Sequence, residues 1–324
     1  MHDDKLPQQT RSPMVSAPYP RLRQTLPNGQ CVLREGLLFC FFMRRPHDEL
    51  SRAVTTALDL YLDAIKPGNL GWYVNTGGDV DPVEHKGWAG AIQPLDNKRW
   101  TRIREDLSAP AGCFIQLQEH QNQAGGFRFE YLGRERDDIH LPGFVSTVSF
   151  WLPTECLEAQ GPSRIEQLAK ALARELPLDS GYVSLAFNYL LETESVTRFI
   201  REHCMDYPGL DIPHLDISMS LGTQVRGAYW LNFYGQPLLE QLGGSEHLRT
   251  QLALPEISIE ELGARKLLVS LGEWPETGAV ESKGIPRAYR LLARELGPHL
   301  HEEQPGGFGL SREQLRRWQR RFLD

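Results

Sequence analysis

Long apolar runs are missing from this 324-residue sequence. The longest, Leu37 to Met43, has seven residues, where a membrane-spanning helix needs about 20. The opening stretch MHDDKLPQQTRSPMVSAPYP holds no apolar core of signal-peptide length. A cytoplasmic protein with no membrane contact is therefore expected. Cysteine is also scarce. Cys31, Cys40, Cys113, Cys156 and Cys204 stand singly, with no pair at metal-ligand spacing. That usage suits a reducing compartment, and Cys40 and Cys156, in or beside strand-like sequence, read as small buried hydrophobes. The motifs of common catalysis are absent: no phosphate-cradling glycine loop, no G-x-S-x-G, no H-E-x-x-H and no EF-hand spacing. Excess positive charge is absent too, with 42 acidic against 35 basic residues and a net charge of −7. Ser311 to Asp324 carries five Arg against Glu313 and Asp324, or +3, which leaves about −10 on the remainder. An acidic body does not hold nucleic acid unaided, so no direct nucleic-acid contact is expected. It can face a basic partner.

What is present is a strand–helix–strand unit, once in full view and once again upstream. Val145 to Leu152 is β-branched and aromatic, as in a strand, and Pro153 ends it. Ser163 is placed to cap a helix, with Glu166 in capping-box position. Ile165, Leu168, Ala169, Leu172, Ala173 and Leu176 form its apolar stripe. Asp179-Ser180-Gly181 turns into a second strand, Tyr182 to Phe187. Upstream, Leu37 to Arg45 is a strand closed by Pro46. Asp48 or Ser51 can cap the next helix, whose face is Val54, Ala57, Leu58, Tyr61, Leu62 and Ile65, and Leu70 to Val74 follows as a strand. Gly71-Trp72-Tyr73-Val74 and Gly181-Tyr182-Val183-Ser184 then fall at matching places, which suggests an internal pseudo-repeat. The plainer alternative is that strand–helix–strand units are common. If the two units pack by pseudo-symmetry, the groove between them is a binding surface.

The rest of the chain reads as α+β, on mostly antiparallel sheets, plus a C-terminal helix. Residues 1–28 are polar and Pro-rich and read as a flexible tail. A body spans 29–303, with lobes of about 29–143 and 144–303, and the terminal helix lies within 304–324. Phe127, Phe129 and Tyr131 alternate with Arg128 and Glu130, as on a half-exposed strand. Tyr207 to Pro213 reads as an extended connector, and helices are expected over 195–204, 285–296 and 311–323. In the last, Leu315, Trp318 and Phe322 form the docking side, and the arginines form a solvated face or, alternatively, a nucleic-acid arm. Asp79, Asp81 and Glu84 share a turn-rich loop. A cation normally needs more oxygens than these, so a solvated acidic loop facing a partner is expected and no metal site. His299 and His301 are co-ligands only if they lie on a strand or loop.

Seven segments carry a resemblance: FFMRRPHDEL (41–50), LGWYV (70–74), VSFWLPTECLEAQGP (148–162), SGYVSLAFN (180–188), YPGLDIPH (207–214), GTQVRGAYWLNFYG (222–235) and LGEWPETG (271–278). The terminal WQRRFLD also matches family endings. In these segments, in order, the chain resembles the type VI secretion immunity family that accompanies nuclease effectors of the VRR-NUC and related restriction-endonuclease-fold kinds. The resemblance implies that the body is an immunity domain and not an enzyme, with no cofactor. It implies that the partner is a cognate toxin effector, a DNase of restriction-endonuclease fold. It carries no catalytic residues onto this chain. An immunity protein kept in the cytoplasm meets a toxin acting there, and an acidic surface can mimic the phosphates that a nuclease binds. Loop position and charge then select Asp79, Asp81, Glu84, Asp137, Asp138, Glu273, Trp274 and Glu276 as toxin contacts. The alternatives are an enzyme that modifies the toxin or its product, and a chaperone or adaptor for effector loading.

Overall fold

The chain enters its sheet at β1 (Gln24–Thr25) and continues into β2, the thirteen residues Cys31–Met43. The computed structural model describes residues 19–66, 68–74, 92–190, 193–263, 265–279, 284–302 and 308–323. After β2 come α1 (His47–Ala64), β3 (Trp72–Val74), β4 (Ile92–Pro94), α2 (Asn97–Ser108), β5 (Cys113–Gln118), β6 (Arg128–Gly133) and the short α3 (Arg136–Ile139). The second half holds β7 (Ser146–Leu152), α4 (Thr154–Gln160), α5 (Pro162–Glu175), β8 (Ser180–Tyr189), α6 (Glu194–His203), β9 (Leu231–Gly235), α7 (Gln236–Gln241) and α8 (Gly244–Gln251). It ends with β10 (Ser258–Glu261), β11 (Lys266–Ser270), α9 (Arg287–Leu296) and α10 (Arg312–Gln319). The strands form one sheet in the order β10-β11-β9-β8-β2-β7-β6-β5-β3-β4, with β1 also on β2. Every pairing between these strands is antiparallel.

β2 is nearly continuous in apolar residues because it is covered on both faces. Leu37, Phe39, Phe41 and Met43 point into the main core, under the apolar stripes of α1, α2 and α5. Leu38, Cys40 and Phe42 point to the other face, against Trp151, Tyr182, Ile217 and Tyr229. Over β9 and β11 this second face is covered by α7, α8 and α9. Over β5 and β6 no described helix packs on it, so the second face is part roofed and part open.

Local signals were displaced where proline intervened. The expected caps Asp48 and Ser51 do not cap α1. Pro46 stands at its N-cap with no side-chain cap, and the Ser51 hydroxyl instead donates to the carbonyl of Leu107. Ser163 and Glu166 make no capping box either, because Pro162 takes the first helical position and Gly161 the cap. The stretch between Pro153 and Gly161 is itself helical, as α4. Arg128 is buried, not half-exposed: its guanidinium stacks 4.7 Å from the Trp151 ring and donates to the carbonyl of Tyr189. Tyr19 and Leu22, read as tail, are buried. There the buried Glu35 carboxylate accepts from the Leu22 amide, Arg21 and Arg23, and Glu155 pairs with Arg23 and Arg34.

The two strand–helix–strand units differ in span. β7 and β8 flank a single strand, β2, whereas β2 and β3 are separated by β7, β6 and β5. Their second strands thus hold non-equivalent places, β8 at the centre and β3 next to an edge.

Candidate functional site

Directly opposed residues on antiparallel strands share a face. One such row crosses five strands: Gln116 on β5, Glu130 on β6, Ser149 on β7, Cys40 on β2 and Tyr182 on β8. It lies on the second face where the helical cover stops, and it floors a cleft of about 440 Å³. The row is polar at the open end and apolar towards the roofed end. Glu130 is fixed on the floor. Its carboxylate accepts from Ser149 Oγ at 3.1 Å and Trp151 Nε1 at 3.4 Å, and pairs with Arg128 Nε at 3.5 Å.

The far wall is the segment from Pro213 to Ile217, which runs into a 3-10 turn, Leu215–Met219. It is held from behind by a buried ion pair. Asp211 accepts from Tyr182 Oη (2.6 Å), Arg226 Nη1 (2.8 Å) and Tyr229 Oη (3.1 Å), and Arg226 Nη2 donates to the carbonyl of Ile212. Tyr182 and Tyr229 stack at 3.8 Å, nearly parallel. Asp211 also bridges to Ala186 of β8. The expected extended connector is therefore a buried, sheet-bound segment. It is locked a second time from the turn after α10, where Arg321 donates to the carbonyl of Pro208 and stacks 4.0 Å from the Trp318 ring. Leu315, Trp318 and Phe322 dock as expected, but Arg321 belongs to the packed side and not the solvated one.

Burial pushes the Tyr182 and Tyr229 hydroxyls well above their ordinary range, so both remain donors. It pushes the Cys40 thiol on the floor up to about 12, which leaves it protonated and without nucleophilic character. The cleft thus offers a fixed carboxylate, an aromatic-stacked guanidinium and hydroxyl groups, a surface for recognition. Among the described residues no three His, Cys, Asp or Glu side chains converge as metal ligands do. The two histidines weighed as co-ligands part company: His301 is tied to Ser220 and Gln224, at 3.0 and 2.9 Å, and His299 belongs to the turn after α9.

Of the residues selected by loop position and charge, Asp137 and Asp138 lie on α3, between β6 and β7, and Asp137 is exposed. Glu273 and Glu276 are exposed in the connection after β11, while Trp274 packs against the main core. The two groups leave opposite ends of the sheet: α3 follows the end of β6, which is level with the start of β11, whereas 273–276 follow the end of β11. Asp79, Asp81 and Glu84 lie outside the described residues. Glu130, Trp151, Asp211 and Arg226 were missed. The alternation around Glu130 signalled a polar face, but nothing local signals that the 211–217 segment folds over it.

The family model TsiV, described as type VI immunity for VRR-NUC, matches residues 53–322. No curated protein matches the chain. Among solved structures the chain is similar to the Pseudomonas aeruginosa T6SS protein PA0821, with 18% identity and a TM-score of 0.74, covering 95% of this chain and 88% of that one. At that identity the likeness is one of fold.

Proposed function

The chain belongs to the type VI immunity family for VRR-NUC, and from that premise we propose that it binds a cognate VRR-NUC nuclease toxin in the cytoplasm and blocks its substrate groove. The observation that carries the reading is the family match over 53–322. The acidic balance agrees with it, since a nuclease presents basic residues to phosphate and an anionic surface competes for them. The cleft supplies a carboxylate, Glu130, on an open sheet face. Asp137, Asp138, Glu273, Trp274 and Glu276, together with Asp79, Asp81 and Glu84, are proposed as toxin contacts. Protection is stoichiometric in this reading, and the chain turns nothing over.

The test is co-purification with a VRR-NUC toxin encoded beside this chain, tagging only the toxin, followed by titration in a nuclease assay. Inhibition that completes at one chain per toxin is expected. Protection at far lower ratios would identify an enzyme instead. Failure of effector delivery without self-poisoning, on deletion of the chain, would identify a loading adaptor.

A further inference from the structure

Two large apolar side chains stand out from the surface among the described residues: Leu141, 49% exposed, and Met219, 44% exposed. They are 78 residues apart in sequence, yet they belong to one feature. Leu141 is in the connection between α3 and β7, and Met219 ends the 3-10 turn whose start forms the cleft wall. The two loops are bonded to each other: the Val145 amide donates to the Ser218 carbonyl at 2.8 Å, and the Gly222 amide to the Gly143 carbonyl at 3.0 Å. They touch so closely at Gly143 that a Cβ there would lie 2.9 Å from Ser220 Cα. Arg134 staples the pair from inside, donating to Ser218 Oγ at 2.6 Å and stacking 4.8 Å from the Phe144 ring.

Exposed apolar side chains on a loop are ordinary when the loop is loose. These are held by backbone bonds, a close glycine contact and a half-buried arginine, and so are already ordered before any partner arrives. The surround is anionic. Glu135, Asp137 and Asp216 are exposed and Asp138 half-exposed, while the neighbouring cation Arg136 is engaged by Asp48 and Glu49 and Arg134 by Ser218 and the Phe144 ring. An apolar centre inside a charged rim is the anatomy of a protein interface. A negative rim fits the basic, phosphate-binding face of a nuclease.

We propose that Leu141 and Met219, on their bonded loops, form the apolar anchor by which this chain seats its nuclease toxin at the end of the cleft. The inference rests on the immunity reading above and adds the place of contact. Its test uses the full chain and a catalytically inactive VRR-NUC toxin in a binding titration. Leu141→Asp combined with Met219→Asp should weaken binding at least about 30-fold and leave thermal unfolding unchanged, since neither side chain is buried. Leu141→Met combined with Met219→Leu, which keeps volume and polarity, should bind within about threefold of wild type. Wild-type affinity in the Asp double variant would overturn the anchor and leave the immunity reading intact. Failure of the wild-type chain to bind the toxin would overturn both. A wild-type dimer that the Asp substitutions split, with toxin affinity retained, would assign the patch to self-association and overturn the proposal.

Discussion

Both carboxylate oxygens of Asp211 are occupied, and its partner Arg226 is as deeply buried as it is. Removing one member of such a pair strands the other charge in the interior. Asp211→Ala should therefore destabilise the chain by about 3–5 kcal/mol, read from a urea unfolding curve. Two other side chains set how stability responds to acid. Burial holds the His47 imidazole below its ordinary 6.5, with Nδ1 2.8 Å from the Tyr131 hydroxyl. The unfolded chain takes up that proton first, so stability is present above pH 6.5 and falls as pH drops below it. His47→Gln should flatten that part of the profile. Glu155 acts lower. Burial alone would raise its carboxyl, but hydrogen bonds from its own amide and from Arg23, with the Arg34 charge, bring it from 4.5 down to about 2. Its contribution is present above pH 4.5 and is lost between there and about 2. Glu155 is nearly half exposed, so added salt should weaken the effect. Amide exchange in residues 19–25 should rise in that range.

Among the elements, α10 and the 207–217 connector depend on each other. Arg321→Ala deletes the donor to Pro208 and the stack on Trp318 and should cost about 2–3 kcal/mol. Exchange should then accelerate over 207–213 before it does in β8. Helices such as α1, α5 and α9 were legible in the sequence because their apolar spacing is unbroken. The starts of α1 and α5 were not, because a proline at the N-cap (Pro46) or at the first position (Pro162) displaces the polar cap that sequence patterns seek. β10 was missed because SIEE is short, polar and half-exposed at the sheet edge. The candidate site was legible only on its floor, as alternation around Glu130. Its wall depends on a salt bridge between Asp211 and Arg226, which no local periodicity encodes. The site is a product of which strands become neighbours, and that is a tertiary fact.

For the molecule as a whole, net charge is the property most open to test. If the anionic surface steers a basic toxin, kon should fall by about tenfold or more between low and high salt, with koff changing far less; stopped-flow association resolves the two. The order of strands has another consequence. β2 is the middle of the sheet but nearly the first strand made, and Phe39 pairs with Val183, 144 residues later. At roughly 5–20 residues per second of synthesis, its row of phenylalanines waits about 7–30 s for that neighbour. Until β7 and then β8 have both emerged, at least one edge of the segment is an unpaired apolar template. A cell that made toxin and protector at the same moment would be undefended for that time. Early translation of the protector, or a standing reserve of it, is the demand that this sheet places on its gene.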